Sequence, residues 1–410
     1  MGTRQSRLGS LCLMIALASV LALAAVASAN PVEEDESASG VGATPIVANL
    51  VPQKRVVPVQ ASDGRWHAMY ELLLTNTVAK PATLKSVAVV DPDSGRRALK
   101  VGTSQLVAED LKQLDRNPVK DTTLPAGGSR VLFLSVSFAS KKVIPKRLTE
   151  RFRVTGFNPF TVKTEKFSYS AGAVTLSRTR PPVLAPPLAG GPWLASDGCC
   201  TASGHVSAIY GLDGKLQAAE RYAIDWIKIG PDGQVFRGDP AVLGNWYGYR
   251  APIYAASAGV VTEAKDGLPD QTPLVKPASL PLDDLPGNLV VVRMKDGLSA
   301  VYAHLVPGSV AVKVGEEVRV GQELGRLGNS GGSLAPHLHF HVVNGSSAST
   351  SDGYPYVLGS FRLAARSDVA ALGEALQGRA GFPTATQLHP VAHHDELPLG
   401  FTIDEFSAGG

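Results

Sequence analysis

The densest run of chemically capable side chains is Pro336-His-Leu-His-Phe-His341. Strand side chains alternate between faces, so an extended backbone sends His337, His339 and His341 to one side and Leu338 and Phe340 to the other. Packing has no need for three imidazoles on one face. Neutral imidazole is a common metal ligand and carries protons near neutral pH, so the pattern predicts a site on a sheet. Asp225 is the best carboxylate to join it. In Arg221-Tyr-Ala-Ile-Asp-Trp226 an acid interrupts an apolar strand, and a buried charge demands a cation or hydrogen-bond donors. His304 is a second isolated histidine, in the apolar run Val301-Tyr-Ala-His-Leu305. Histidine plus Asp with an open position is the donor pattern of catalytic zinc, which acidifies water.

These residues must be positioned by β structure. Gly 42 and Pro 29 without a three-residue period suit a turn-rich, mainly β chain. From 46 to 177, short β patterns (Trp66 to Leu74, Ser86 to Val90, Val131 to Val136, Phe152 to Val154) alternate with turn signals such as Asp91-Pro-Asp-Ser-Gly95, which predicts an immunoglobulin-like antiparallel sandwich. No chemical constellation falls there, and His67 reads as structural. Residues 178–193 are Pro-rich and read as a semi-rigid linker between independently folding units. From 194 to 410 the β pattern resumes with more glycine, the single helical segment is Asp368 to Leu376, and the chain closes on a strand near Phe406. His389, His393 and His394 lie beyond the site region and are assigned no role.

At 410 residues, 44% apolar and 18% charged, the chain has material for two cores and is not a disordered polymer. The net charge is +3, and Arg4 and Arg7 supply two of those charges, so no basic domain for nucleic acid remains. Residues 1–29 read as a secretory signal: Arg4 and Arg7, the apolar run from Leu11 to Val26, then Ala27-Ser-Ala29. No membrane span is expected after its removal, and a secreted or periplasmic location follows. Residues 30–45 form an acidic tether. Of three cysteines, Cys12 leaves with the signal. The adjacent Cys199 and Cys200 make no disulfide scaffold; they can close a strained ring or stay reduced.

Four segments, in order, resemble the lysostaphin-type zinc metalloendopeptidases, which cut peptides of bacterial cell-wall peptidoglycan. They are Arg221-Tyr-Ala-Ile-Asp-Trp226; Ala251-Pro-Ile-Tyr-Ala255 with Gly259-Val-Val261; Tyr302-Ala-His-Leu305 with the following Val-Gly-Glu-Glu-Val-Arg-Val-Gly-Gln run; and Gly328-Asn-Ser-Gly331 leading to His337-Leu-His-Phe340. The resemblance covers about residues 195–360 and implies a lysostaphin-type antiparallel β-sheet peptidase domain, a Zn2+ cofactor and peptidoglycan peptides as substrate. The family's zinc ligands are the His and Asp of His-x-x-x-Asp and the second His of His-x-His, which Asp225 and His339 match in part. His304 and His337 match the two histidines that handle the proton of the attacking water and hold the developing oxyanion. His341 shares the site face, matches none of these residues, and is expected to back a ligand. A non-catalytic wall-binding or hydrolase-regulating protein of the same fold is the alternative. A sugar-phosphotransfer domain also uses two histidines on a sheet, but needs cytoplasmic phosphate donors that a secreted chain lacks.

The first ligand of His-x-x-x-Asp falls on Arg221, which stays protonated and has no lone pair to give. Either the site has lost a ligand or another histidine replaces it. His205 is the candidate, and a branch of the family carries its His upstream of an Arg-Tyr/Phe-Ala-Ile-Asp run. A hairpin turning at Gly211-Leu-Asp-Gly214 sets His205 opposite Glu220 in one register. A one-residue longer turn sets it opposite Arg221, on the face of Asp225. Arg221 is expected to point away from the ion towards a carboxylate, with its neighbour Glu220 as a structural ion-pair partner.

Overall fold

The computed structural model describes residues 42–51, 55–200 and 203–407. The expected signal, Cys12 and most of the acidic tether lie outside them. Strand accounts for 43% of the structure and helix for 8%. Among the described residues no helix is long and apolar enough to cross a membrane.

The N-terminal half is a sandwich of two antiparallel sheets. One runs Ile46–Leu50, Trp66–Asn76, Ser129–Phe138, Leu111–Lys112, with Val59–Gln60 added against Trp66–Asn76. The other runs Lys163–Thr175, Arg147–Asn158, Ala82–Val90, Arg97–Gly102, with Thr123–Leu124 beside Ala82–Val90. Alternation explains the near-continuous burial of Trp66–Asn76. Ala68, Tyr70, Leu72 and Leu74 enter the sandwich core, whereas Met69 and Leu73, with Val131 and Phe133 of the adjacent strand, join the core of the C-terminal half.

That second face corrects the expectation of a spacer at 178–193. Val183–Leu184 pairs in parallel with Val357–Leu358, and Gly190–Ser196 is an interior strand of the large sheet. The prolines do not block this pairing, because they lie outside the paired positions. The stretch is built into the C-terminal half, and the two halves share a core.

The large sheet has ten strands in the order Glu317–Val318, Gly259–Lys265, Asn288–Arg293, Ser299–Leu305, Leu338–Val343, Ile224–Lys228, Gly190–Ser196, Thr402–Phe406, Phe361–Arg366, Val391–His393. The C-terminal segments therefore extend the same sheet. Leu338, Phe340, Val342, Ile224, Trp226 and Tyr302 pack on its core face. Val369–Leu376 is the expected helix, with Asp368 Oδ1 accepting from Ala371 N at its start.

Candidate metal centre

Three adjacent central strands build the site. Asp225 faces His339 across one ladder, and His339 faces Ala303 across the next. The alternation read from the sequence holds: Leu338 and Phe340 are in the core, and His339 and His341 are on the opposite face. His337 precedes the strand and joins them.

His304 reaches the site by breaking the alternation. Tyr302 points into the core, so strict alternation would send His304 the same way. Its φ is +64°, a left-handed conformation uncommon for a residue with a Cβ and characteristic of functional sites. Its N–H is kept bonded, to Pro286 O at 2.9 Å.

His205 enters from a turn, and here the hairpin expectation fails in detail. The ladder pairs Tyr210 with Gln217 and Leu212 with Lys215, so neither anticipated register occurs. Asp213 and Gly214 are the two turn residues, with φ of +49° and +72°. A two-residue turn of this hand needs positive φ at both positions, which Asp and Gly accept and Leu212 resists. The ladder ends at Tyr210, so His205 and Arg221 are not strand neighbours; both lie in turns.

The side chains converge on one carboxylate oxygen. Asp225 Oδ1 lies 2.9 Å from His339 Nδ1, 3.3 Å from His337 Nε2 and 3.4 Å from His205 Nε2. Ligand atoms of His205, Asp225 and His339 lie within 4.8 Å of one another, as do those of His304, His337 and His339. All four histidines are buried.

Each ring's far nitrogen is anchored. Nδ1 of His205 meets Asp197 O at 3.0 Å, that of His304 meets Ser330 O at 2.8 Å and that of His337 meets Ala335 O at 2.7 Å. A carbonyl only accepts, so these Nδ1 atoms carry hydrogen and each ring turns its Nε2 inward. His339 is reversed: Nε2 meets His341 Nδ1 at 2.8 Å, leaving Nδ1 for Asp225. His341 thus backs His339.

Electrostatics separate the groups. Burial works against the Asp225 carboxylate, but the charges of His205 and His337 outweigh it and hold the group well below the usual range. Burial likewise opposes charge on His205, yet Asp225, Asp197 and Glu220 push it up to about 9. His337 is raised despite burial, by Asp225. Burial and the neighbouring rings of His337 and His339 push His304 well down, so it is neutral at neutral pH.

Sequence reasoning missed the anchors Asp197, Ser330 and Ala335, whose backbone oxygens carry no side-chain signal. It also misassigned the partner of Arg221. The guanidinium turns from the site to Glu71 of the sandwich at 2.7 Å, not to Glu220, which lines the site's cleft. Cys199 and Cys200 are joined to each other as a disulfide. His67 pairs with Asp63.

Residues 247–350 match the profile described as Peptidase family M23. The chain carries a peptidase family M23 domain. The matched range contains His304, His337 and His339 and begins after Asp225. The chain is 45% identical over 56 residues to the cell division protein DipM of Caulobacter vibrioides, a match covering 14% of this chain and 9% of that protein. It is 34% identical over 95 residues to the peptidoglycan DD-endopeptidase ShyC of Vibrio cholerae, covering 23% of this chain and 18% of that protein. Among solved structures, the catalytic domain of lysostaphin from Staphylococcus simulans shares 23% identity over 40% of this chain and 86% of that chain, with a TM-score of 0.21. The M23 match supports a peptidase related to cell-wall enzymes.

Proposed function

We propose that this chain is a secreted or periplasmic zinc metalloendopeptidase that hydrolyses amide bonds in peptidoglycan peptides. The observation that carries the reading is the convergence of anchored imidazole nitrogens on the half-buried Asp225 carboxylate. Two nitrogens and one oxygen, from His205, His339 and Asp225, are a donor set that suits zinc and leaves a position open. A zinc ion held there would polarise a peptide carbonyl and acidify water.

The chain's own residues supply the rest. His304, kept neutral and bonded through Nδ1 to Ser330 O, offers Nε2 to accept a proton. His337, whose proton affinity is raised by Asp225, presents a protonated Nε2 to the developing oxyanion and then to the leaving amine. The site opens into a cleft of ≈ 380 Å³. Leu282, Leu285 and Leu334 line it with apolar surface, and Tyr210 and Glu220 line it as polar partners for a peptide.

The test is zinc content of the purified full chain together with chromatography of peptidoglycan fragments after incubation. One zinc per chain and new amine-terminated fragments are expected. The presence of Arg221 where similar peptidases have a ligand favours a second reading, a non-catalytic wall-binding protein. A chain that binds intact peptidoglycan, takes up no zinc and releases no fragment would establish that reading instead.

A further inference from the structure

Position 221 holds an arginine with 0% exposure, and its partner Glu71 is 1% exposed. Arg221 Nε lies 2.8 and 3.1 Å from the two Glu71 carboxylate oxygens, Nη2 lies 2.7 Å from Oε2, and Nη1 donates to Gly353 O at 2.9 Å. The pair is closed between the two halves of the molecule. An apolar pair of similar volume would join the halves at least as firmly, because removing two ions from water offsets their attraction. What an apolar pair lacks is direction. A guanidinium fork on a carboxylate fixes the angle and depth at which two backbones meet.

The backbone so fixed is the one that carries the site. The segment from His205 to Asp225 has a prospective ligand at each end. Asp225 is fixed by the ladders of Ile224–Lys228 with Leu338–Val343 and with Gly190–Ser196, but between it and His205 the described pairing is the short hairpin Tyr210–Leu212 and Lys215–Gln217 and the rest is turn and loop. Such a segment does not hold its His205 end in place unaided. The sandwich grips it twice between the ligands. Glu71 takes Arg221, and Arg116, from a sandwich loop, donates to Tyr210 Oη at 2.7 Å with its guanidinium 4.4 Å from the ring centre. On the other side Gly353 N bonds Ala218 O, and Ala218 N meets Asp352 Oδ1. Arg221 therefore links the sandwich, the loop at Gly353 and the turn leading into Asp225.

We infer that Glu71 and Arg221 are positioning residues of the metal centre: the sandwich, through this pair, holds the 205–225 segment so that His205 meets Asp225 and His339. The inference rests on the zinc reading and extends it by giving the N-terminal half a part in the site.

The full chain is titrated with zinc alone against a chelator, and its unfolding is followed separately without metal. Glu71→Gln keeps the shape and removes the charge. Zinc affinity is expected to fall about 10- to 100-fold, the usual result of losing a group that orients a ligand. Because an unpaired buried cation can unfold the chain, the double variant Glu71→Leu with Arg221→Met is measured beside it. That variant is expected to melt near the native chain without metal, yet to lose about the same 10- to 100-fold in zinc affinity. Arg221→Lys, which keeps the charge but not the fork, is expected to fall between. A folded double variant that binds zinc as tightly as the native chain overturns the inference and leaves the metal reading standing. A native chain that takes up no zinc overturns the metal reading and this inference together.

Discussion

Glu150 and Asp225 both stand on interior strands, one in each half, and they have opposite electrostatic fates. Glu150 in the sandwich accepts from Tyr70 Oη at 2.7 Å, and its Oε2 meets no hydrogen-bond partner. Burial pushes its carboxyl up to about 7, against the pull of the Tyr70 hydrogen bond. Asp225 has histidine nitrogens around one oxygen and is held well below the ordinary range. Loss of water opposes the charge on both. Neighbours that carry charge and lone pairs are what separate a poised site from a structural acid.

The largest expected effect tests the Asp225 side. His339→Ala removes a ligand and is expected to abolish zinc uptake and activity together. His337→Ala is expected to keep zinc while turnover drops ~10²–10⁴-fold, the usual worth of general acid–base catalysis. Metal content and initial rates of the two variants check this, and equal zinc loss in both would erase the division of labour.

Next in size is Arg221→Ala. It leaves Glu71 buried without its partner, and removing one member of such a pair costs about 3–5 kcal/mol. Denaturant midpoints measure it. For the same reason a chain truncated to begin near Trp193 is expected to be insoluble, since it exposes the face that Met69, Val131 and Phe133 cover.

Glu150 gives a smaller effect with a definite sign. Its folded value of about 7 exceeds its ordinary 4.5, so the folded state binds more protons between those values. Stability is then highest below 4.5, falls as pH rises towards 7 and levels off above it, a loss of about 3 kcal/mol from this group. Asp404, also raised to about 7 by burial, acts in the same direction. Glu150→Gln is expected to reduce the slope in melts recorded across that range. A slope as steep as the native one would mean that Glu150 is charged after all. Smallest is Tyr70→Phe, which removes the donor to Glu150 and is expected to cost about 1–3 kcal/mol in the same melts.

The fold's periodic features were legible because side chains obey a simple period. The faces of Leu338–Val343, the helix at Val369–Leu376 and the mainly β class all follow from alternation, capping and turn residues. What departed from the period was hidden. His304 reaches the site through a left-handed residue that no pattern announces. The Asp213-Gly214 turn shifted the hairpin, and His205 reached Asp225 without the ladder thought necessary. The Pro-rich stretch hid two strands because its prolines mask the apolar residues between them. Glu71 was readable in principle. Met69-Tyr-Glu-Leu72 has an acid interrupting an apolar strand, the same signal that singled out Asp225, and its partner is Arg221, which stands where the family resemblance expects a ligand.

Zinc-edge X-ray absorption of the zinc-loaded full chain, native and His205→Ala, bears most directly on the proposal that His205 is a zinc ligand. The native spectrum is expected to show two imidazole nitrogens at ~2.0–2.1 Å and a carboxylate oxygen. The variant is expected to lose one imidazole, or to take up no zinc at all. A His205→Ala protein that binds zinc with an unchanged spectrum would contradict the account.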